Sequence, residues 1–212
     1  IYGYPDGTFG AERSMSRSEA AAIFARLLAE KKGDVISENG NFTTKFSDVP
    51  ANAWYAGYVK YLSNYGIVLG YEDGTFRPEN AISRAEFTAM AVRFFEDYGD
   101  GNPEIVEMYA DFTDVSSGYW AAEYIYNASV YGWIYGYGDG TFHADTDITR
   151  VEVVALVNRM LGREADKEYI SENLRFLNTF SDMPEAHWAY YAVMEAANAH
   201  TAVYNTEETW SK

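Results

Sequence analysis

Two short signatures alternate along this chain, and the place where their series is cut constrains the fold more than any other feature. GYPDGTF at Gly3 returns as GYEDGTF at Gly70 and GYGDGTF at Gly136. Between them run FSDVPANAW from Phe46, FTDVSSGYW from Phe112 and FSDMPEAHW from Phe180. The glycine signature comes first and the Trp signature last, so the opening and closing segments are each half a repeat. Together they complete one unit, which predicts three units closed on one another, with the termini meeting inside the split one. A repeat that cannot bury its own apolar face is stabilised by its neighbours, and closure leaves no exposed end.

Each unit reads as helix, turn-rich loop, helix. Trp54, Tyr58, Tyr61, Leu62 and Tyr65 recur at helical steps, and Gly66 is expected to stop that helix. Trp120, Tyr124, Val130 and Gly132 repeat the arrangement, whereas His200 stands in the place of that glycine in the split unit, so its helix must end differently. Asp6-Gly7, Asp73-Gly74 and Asp139-Gly140 are turn chemistry, because glycine takes positive φ and aspartate bonds its own backbone. The second helix opens on a capping box three times: Ser16 with Glu19, Ser83 with Glu86, and Thr149 with Glu152. Apolar stripes follow it: Ile23, Phe24, Leu27 and Leu28; Phe87, Met90, Ala91 and Phe94; Val153, Leu156, Val157 and Met160. These are expected to pack together at the centre. The expected organisation is one domain over 1–212, with a split repeat (1–30 plus 180–212), a second repeat (46–97) and a third (112–163). Residues 31–45, 98–111 and 164–179 read as connectors, the last with enough Leu, Phe and Tyr for an extra helix.

Charge and composition exclude several functions. Sixteen basic against 32 acidic residues leave a net charge of −16, which opposes diffuse attraction to nucleic acid or an anionic membrane. The chain has no cysteine, and its three histidines, His143, His187 and His200, have no metal-ligand spacing. No apolar run approaches the roughly 20 residues of a membrane span, and no signal segment opens the chain, so any export signal is expected outside these residues. There is no P-loop, dinucleotide fingerprint or nucleophile elbow, and DTDITRVE from Asp145 lacks the glycine and ligand spacing of a calcium loop. The acids that recur in every unit have structural duties, which counts against a glycoside hydrolase. No cofactor or metal is expected.

Arg17, Arg84 and Arg150 are the residues without a local explanation. Each takes the first helical position, where the macrodipole disfavours a cation. One reading is a salt bridge to a nearby carboxylate. The other is a compact anion site, made of the guanidinium and free N–H groups at the same helix start.

F.D…W, then GY.DGTF, then [IM][ST]R.E, in order and three times, resembles the S-layer homology family; ISRAE at 82–86 and ITRVE at 148–152 lie close to its motif, while MSRSE at 15–19 departs further. The resemblance implies a mainly α fold: a pseudo-threefold spindle around a central three-helix bundle. It also implies a noncatalytic module that anchors a secreted protein to the cell wall of a Gram-positive bacterium, as do the C-terminal anchors of clostridial surface and cellulosome-associated proteins. The ligand implied is a secondary cell-wall polysaccharide carrying pyruvylated N-acetylmannosamine, held in grooves between repeats. On that resemblance Arg17, Arg84 and Arg150 contact the acidic sugar, with Asp6, Gly7, Asp73, Gly74, Asp139 and Gly140 lining the same grooves. A monomer with cargo domains upstream is expected. The rival readings are a protein-binding module of a surface assembly, and recognition of modified peptidoglycan.

Overall fold

The computed structural model describes residues 2–37, 40–99, 111–204 and 208–211. Most of the connector expected at 98–111, and part of the one at 31–45, lie outside the described residues. The chain is mainly helical and divides into two compact units: Ser14–Tyr131 with Tyr135–Ile148, and Ile1–Arg13 with Gly132–Ile134 and Thr149–Lys212.

The larger unit contains α1 (Arg17–Lys32), α2 (Ala56–Asn64), α3 (Arg84–Tyr98) and α4 (Ala122–Val130). Both long helices open on complete capping boxes. The Ser16 hydroxyl accepts from the Glu19 N–H while Glu19 accepts from the Ser16 N–H, and Ser83 with Glu86 repeats the exchange. Behind the caps, Phe24 of α1 packs on Phe87 and Phe94 of α3, ring centres 5.2 and 5.6 Å apart. The short helices end on glycine in the left-handed region, Gly66 at φ 73°.

The residues just ahead of the three capping boxes meet through their backbones. The Met15 N–H donates to the Ile148 carbonyl, Ile148 to Ile82, and Ile82 back to Met15, at 3.2, 3.0 and 2.9 Å. The result is a closed cycle with one member from each repeat.

The smaller unit contains α5 (Arg150–Met160), α6 (Lys167–Asn173), α7 (Tyr190–Ala197) and a hairpin of β1 (Thr201–Tyr204) and β2 (Glu208–Ser211). Thr149 and Glu152 cap α5 reciprocally. The extra helix expected before residue 179 is α6, capped by the Asp166 carboxylate. Phe9, Ala11, Val151, Val154, Met183, Ala189 and Val193 form one core, so the beginning of the chain and its C-terminal segment share apolar cover. Where the other repeats use glycine, α7 stops differently. Asn198 leaves the helical region and its amide donates to the Met194 carbonyl, and the chain turns into β1. His200 then stacks on Trp210 of the hairpin, ring centres 3.9 Å apart.

Trp54 and Trp120 correct one expectation, and Trp188 shares their position. They stand two residues ahead of α2, α4 and α7 and are 52, 53 and 62% exposed. The helical phase of Trp54 and Trp120 runs two residues past the observed start of α2 and α4, onto rings that face solvent.

Candidate functional site

Every repeat builds its turn with the same clamp. The Asp48 carboxylate accepts the Phe76 and Arg77 N–H groups, both at 2.7 Å; Asp114 accepts those of Phe142 and His143 at 2.8 and 2.7 Å. Asp182 accepts those of Phe9, Gly10 and Ala11 at 2.6, 2.7 and 3.4 Å. Burial works against ionisation of Asp114 and Asp182, but these N–H groups outweigh it and hold both carboxyls below their ordinary value. The first glycine of each signature is required by contact. A Cβ on Gly3, Gly70 or Gly136 would stand 2.3, 2.3 or 2.4 Å from Phe180, Phe46 or Phe112.

The motif arginines sit at the first position of α1, α3 and α5, as the spacing predicts, and each Nε donates to the carbonyl of a turn phenylalanine. Arg17 reaches Phe76, Arg84 reaches Phe142 and Arg150 reaches Phe9, at 2.8, 2.8 and 3.1 Å. The acceptor lies in the following repeat, which for Arg150 is the one at the chain's beginning. Each guanidinium also lies over that phenylalanine ring, at 4.9, 4.6 and 5.0 Å. The unfavourable dipole is thus offset by a fixed carbonyl and an aromatic face.

Free helix-start N–H groups are not part of this site. In α1 the Arg17 and Ser18 amides donate to the Asn80 and Pro78 carbonyls. In α3, Arg84 and Ala85 donate to Thr146 and Ala144; in α5, Arg150 and Val151 donate to Arg13 and Ala11. With the third amide on the cap hydroxyl, the first three donors of each helix are already satisfied. These helix-start amides are therefore not open to an anion.

One groove of about 450 Å³ lies within the larger unit. Its wall carries Arg17, Tyr71, Glu86 and Arg93; Trp120 and Asp145 complete it, over a floor of Ile67, Val68 and Met90. The Arg17 Nη1 pairs with Glu86 Oε1 at 2.9 Å, the salt bridge that one of the two readings of this arginine expects. Tyr71 donates its hydroxyl to the same Glu86 oxygen. Burial and that bond push the hydroxyl above its ordinary value, against the pull of Arg17. Arg93 lies 4.6 Å from the Tyr124 ring centre and donates to its hydroxyl. Tyr119, beside Trp120, donates to Asp145 at 2.6 Å; burial and this bond push it up to about 12. The groove therefore offers two guanidiniums, a half-exposed indole and carboxylate acceptors around an apolar floor, a composition suited to an acidic, hydroxyl-rich ligand with an apolar ring face.

Of the expected residues, Arg17, Ser83 and Glu86 line this groove, while Asp73 and Gly74 lie outside its lining. The turn aspartates instead brace their own loops. Asp6, Asp73 and Asp139 each accept the N–H and hydroxyl of the threonine two residues on. Those bonds, with Arg77, hold Asp73 down to about 2. Gly7, Gly74 and Gly140 take φ 82, 78 and 82°. Arg93, Tyr71, Trp120 and Asp145 were not singled out as ligand contacts. A signal for Arg93 existed: an arginine recurs nine residues after each motif arginine, at Arg26, Arg93 and Arg159.

Comparison with known proteins gives concordant results. The chain is 36% identical over 201 residues to the Cellulosome-anchoring protein of Acetivibrio thermocellus, covering 95% of this chain and 42% of that protein. It is 35% identical over 219 residues to Cell surface glycoprotein 1 of the same organism, covering 98% and 9%. Over 93 residues it is 34% identical to the Surface layer protein of Brevibacillus choshinensis, covering 44% and 8%. The chain thus spans less than half the length of each of these relatives. A family profile described as the S-layer homology domain matches residues 1–21, 45–88 and 111–154, about half the chain. Those segments hold all three glycine turns and all three motif arginines, and the chain belongs to the S-layer homology domain family.

Proposed function

We propose that this chain is a noncatalytic cell-wall anchoring module that binds an acidic secondary cell-wall polysaccharide through its arginine- and aromatic-lined grooves. The family and the names of its relatives, a cellulosome-anchoring protein and surface proteins, support anchoring at the surface of a Gram-positive bacterium. The observation that carries the ligand reading is the groove at Arg17, with Arg93 and the exposed Trp120 converging on one apolar floor. A pyruvylated N-acetylmannosamine fits this chemistry: its carboxylate meets a guanidinium and its ring packs on the indole. Arg84 and Arg150 repeat the first half of the arrangement and extend the proposal to three sites, each within a domain of three repeats. A charged hydrogen bond contributes about 1.5–3 kcal/mol, so firm retention comes from several grooves engaging one repeating polymer. Because the net charge of −16 repels an acidic polymer at long range, capture is short-ranged and improves with moderate salt.

The test is cosedimentation with native walls and with walls stripped of phosphodiester-linked polymer. Parent chain pellets with native walls only; Arg17→Gln and Trp120→Ala each weaken binding about tenfold, with circular dichroism showing the fold kept at the assay temperature. Undiminished pelleting with stripped walls would point to peptidoglycan, and capture of a purified surface protein without glycan to a protein-binding module.

A further inference from the structure

The residue that follows each GTF turn is held in the left-handed region: Gly10 at φ 71°, Arg77 at 57° and His143 at 56°. The clamp aspartate imposes this, taking all three N–H groups at 2.7 Å. Glycine is at ease there and side-chain-bearing residues are not, yet two repeats keep a large nitrogen-bearing side chain. Such strain persists where something else over-determines it.

What the strained side chains do is the same in both repeats. The Arg77 guanidinium lies 3.9 Å from the centre of the Tyr71 ring, and the His143 imidazole lies 4.5 Å from that of Tyr137. In the split repeat Gly10 has no side chain to offer, and Arg13 supplies the contact from three residues on, 4.5 Å from Tyr4. The motif arginine meets each of these rings as well: Arg17 over Tyr71 at 4.7 Å, Arg84 over Tyr137 at 5.1 Å and Arg150 over Tyr4 at 5.0 Å. Every turn tyrosine therefore has two nitrogen-bearing ring partners, one constant and one variable.

We propose that the variable partner, Arg77, His143 or Arg13, is a positioning residue for glycan capture: it holds the turn tyrosine against the motif arginine and sets the grip of each groove. At the groove described above, Tyr71 lines the wall and donates to Glu86, which pairs with Arg17. Arg77 is itself anchored, to Asp73 at 2.9 Å. Without it the ring keeps only Arg17 as a partner, the Tyr71 bond to Glu86 is less well aligned, and the Nη1 end of the Arg17 guanidinium, which pairs with Glu86, is held less firmly.

The inference rests on the acidic-glycan reading, and the experiment separates the two. Native cell walls are the probe, in an Arg84→Gln/Arg150→Gln background where the groove at Arg17 carries the binding. Arg77→Gly suits φ 57°, as Gly10 shows in its own turn, so folding is retained; circular dichroism checks this. The expected result is about fivefold weaker binding for Arg77→Gly, the size of one cation–π contact, and recovery to within about twofold for Arg77→His, which copies the third repeat. If Arg77→Gly binds like its background while Arg17→Gln does not bind, the positioning role is refuted and the site reading stands. If Arg17→Gln binds as tightly as the background, the site reading itself fails. Should the double background unfold, the same comparison in the intact chain is expected to show about a twofold loss, and no loss there is equally decisive against the proposal.

Discussion

Asp182→Ala tests whether the two ends of the chain are joined by the clamp that the other repeats use. The carboxylate accepts two short bonds, from Phe9 at 2.6 Å and Gly10 at 2.7 Å, and a long one from Ala11 at 3.4 Å, across more than 170 residues of sequence. Bonds to a charged acceptor contribute about 1.5–3 kcal/mol each. Asp182 is half-buried, so water partly replaces it and the low end of that range applies. Two good bonds at that value give about 3 kcal/mol. For a chain of this size 1 kcal/mol moves Tm by roughly 2–4 °C, so the expected fall is about 6–12 °C by circular dichroism. Asp182→Asn keeps one carbonyl acceptor without the charge and is expected to lose about half as much. A Tm for Asp182→Ala within about 2 °C of the parent would refute the reasoning, because the Phe9 and Gly10 amides would then be equally well served without their acceptor.

Gly74→Ala places a side chain at φ 78° with open space around it, so only conformational strain of about 1–2 kcal/mol is expected. Gly70→Ala has the same φ but drives its Cβ into Phe46, and its urea midpoint is expected to fall well below that of Gly74→Ala. In acid, Asp73, Asp114 and Asp182 have folded values below their ordinary ones. Their contribution is therefore complete above about pH 4–5 and is lost as pH falls through the folded values; urea titrations are expected to give a flat midpoint from pH 5 to 7 and a decline below pH 4. Wall pelleting is expected to weaken for Arg17→Gln and Trp120→Ala, and for Arg77→Gly with rescue by Arg77→His.

Much of this was legible because it is local. A capping box needs only Ser or Thr and Glu three apart, and all three form where the spacing places them. The glycine turns are equally self-contained. The exposure of Trp54 and Trp120 was not legible, since a ring two residues ahead of a helix keeps the phase of its apolar stripe without sharing its burial. The groove brings together residues 17, 71, 93 and 120, whose proximity no single segment encodes. The free-amide reading of the arginines failed for a related reason. The carbonyls that occupy those amides, such as Asn80 and Pro78 for α1, come from the preceding loop of another repeat. The closing hairpin was missed because two four-residue strands are too short to carry an alternation signal.

The backbone cycle of Met15, Ile148 and Ile82 bears on how such modules can evolve. An open stack of repeats gains or loses a copy at its end at small cost, since each copy touches only its neighbours. In the ring of three, each N–H already has its acceptor inside the cycle. A deleted copy strands a donor and an acceptor together. A closed cycle of this kind therefore resists the loss of a single copy, and the three amides are expected to exchange their hydrogens with solvent as a single cooperative group.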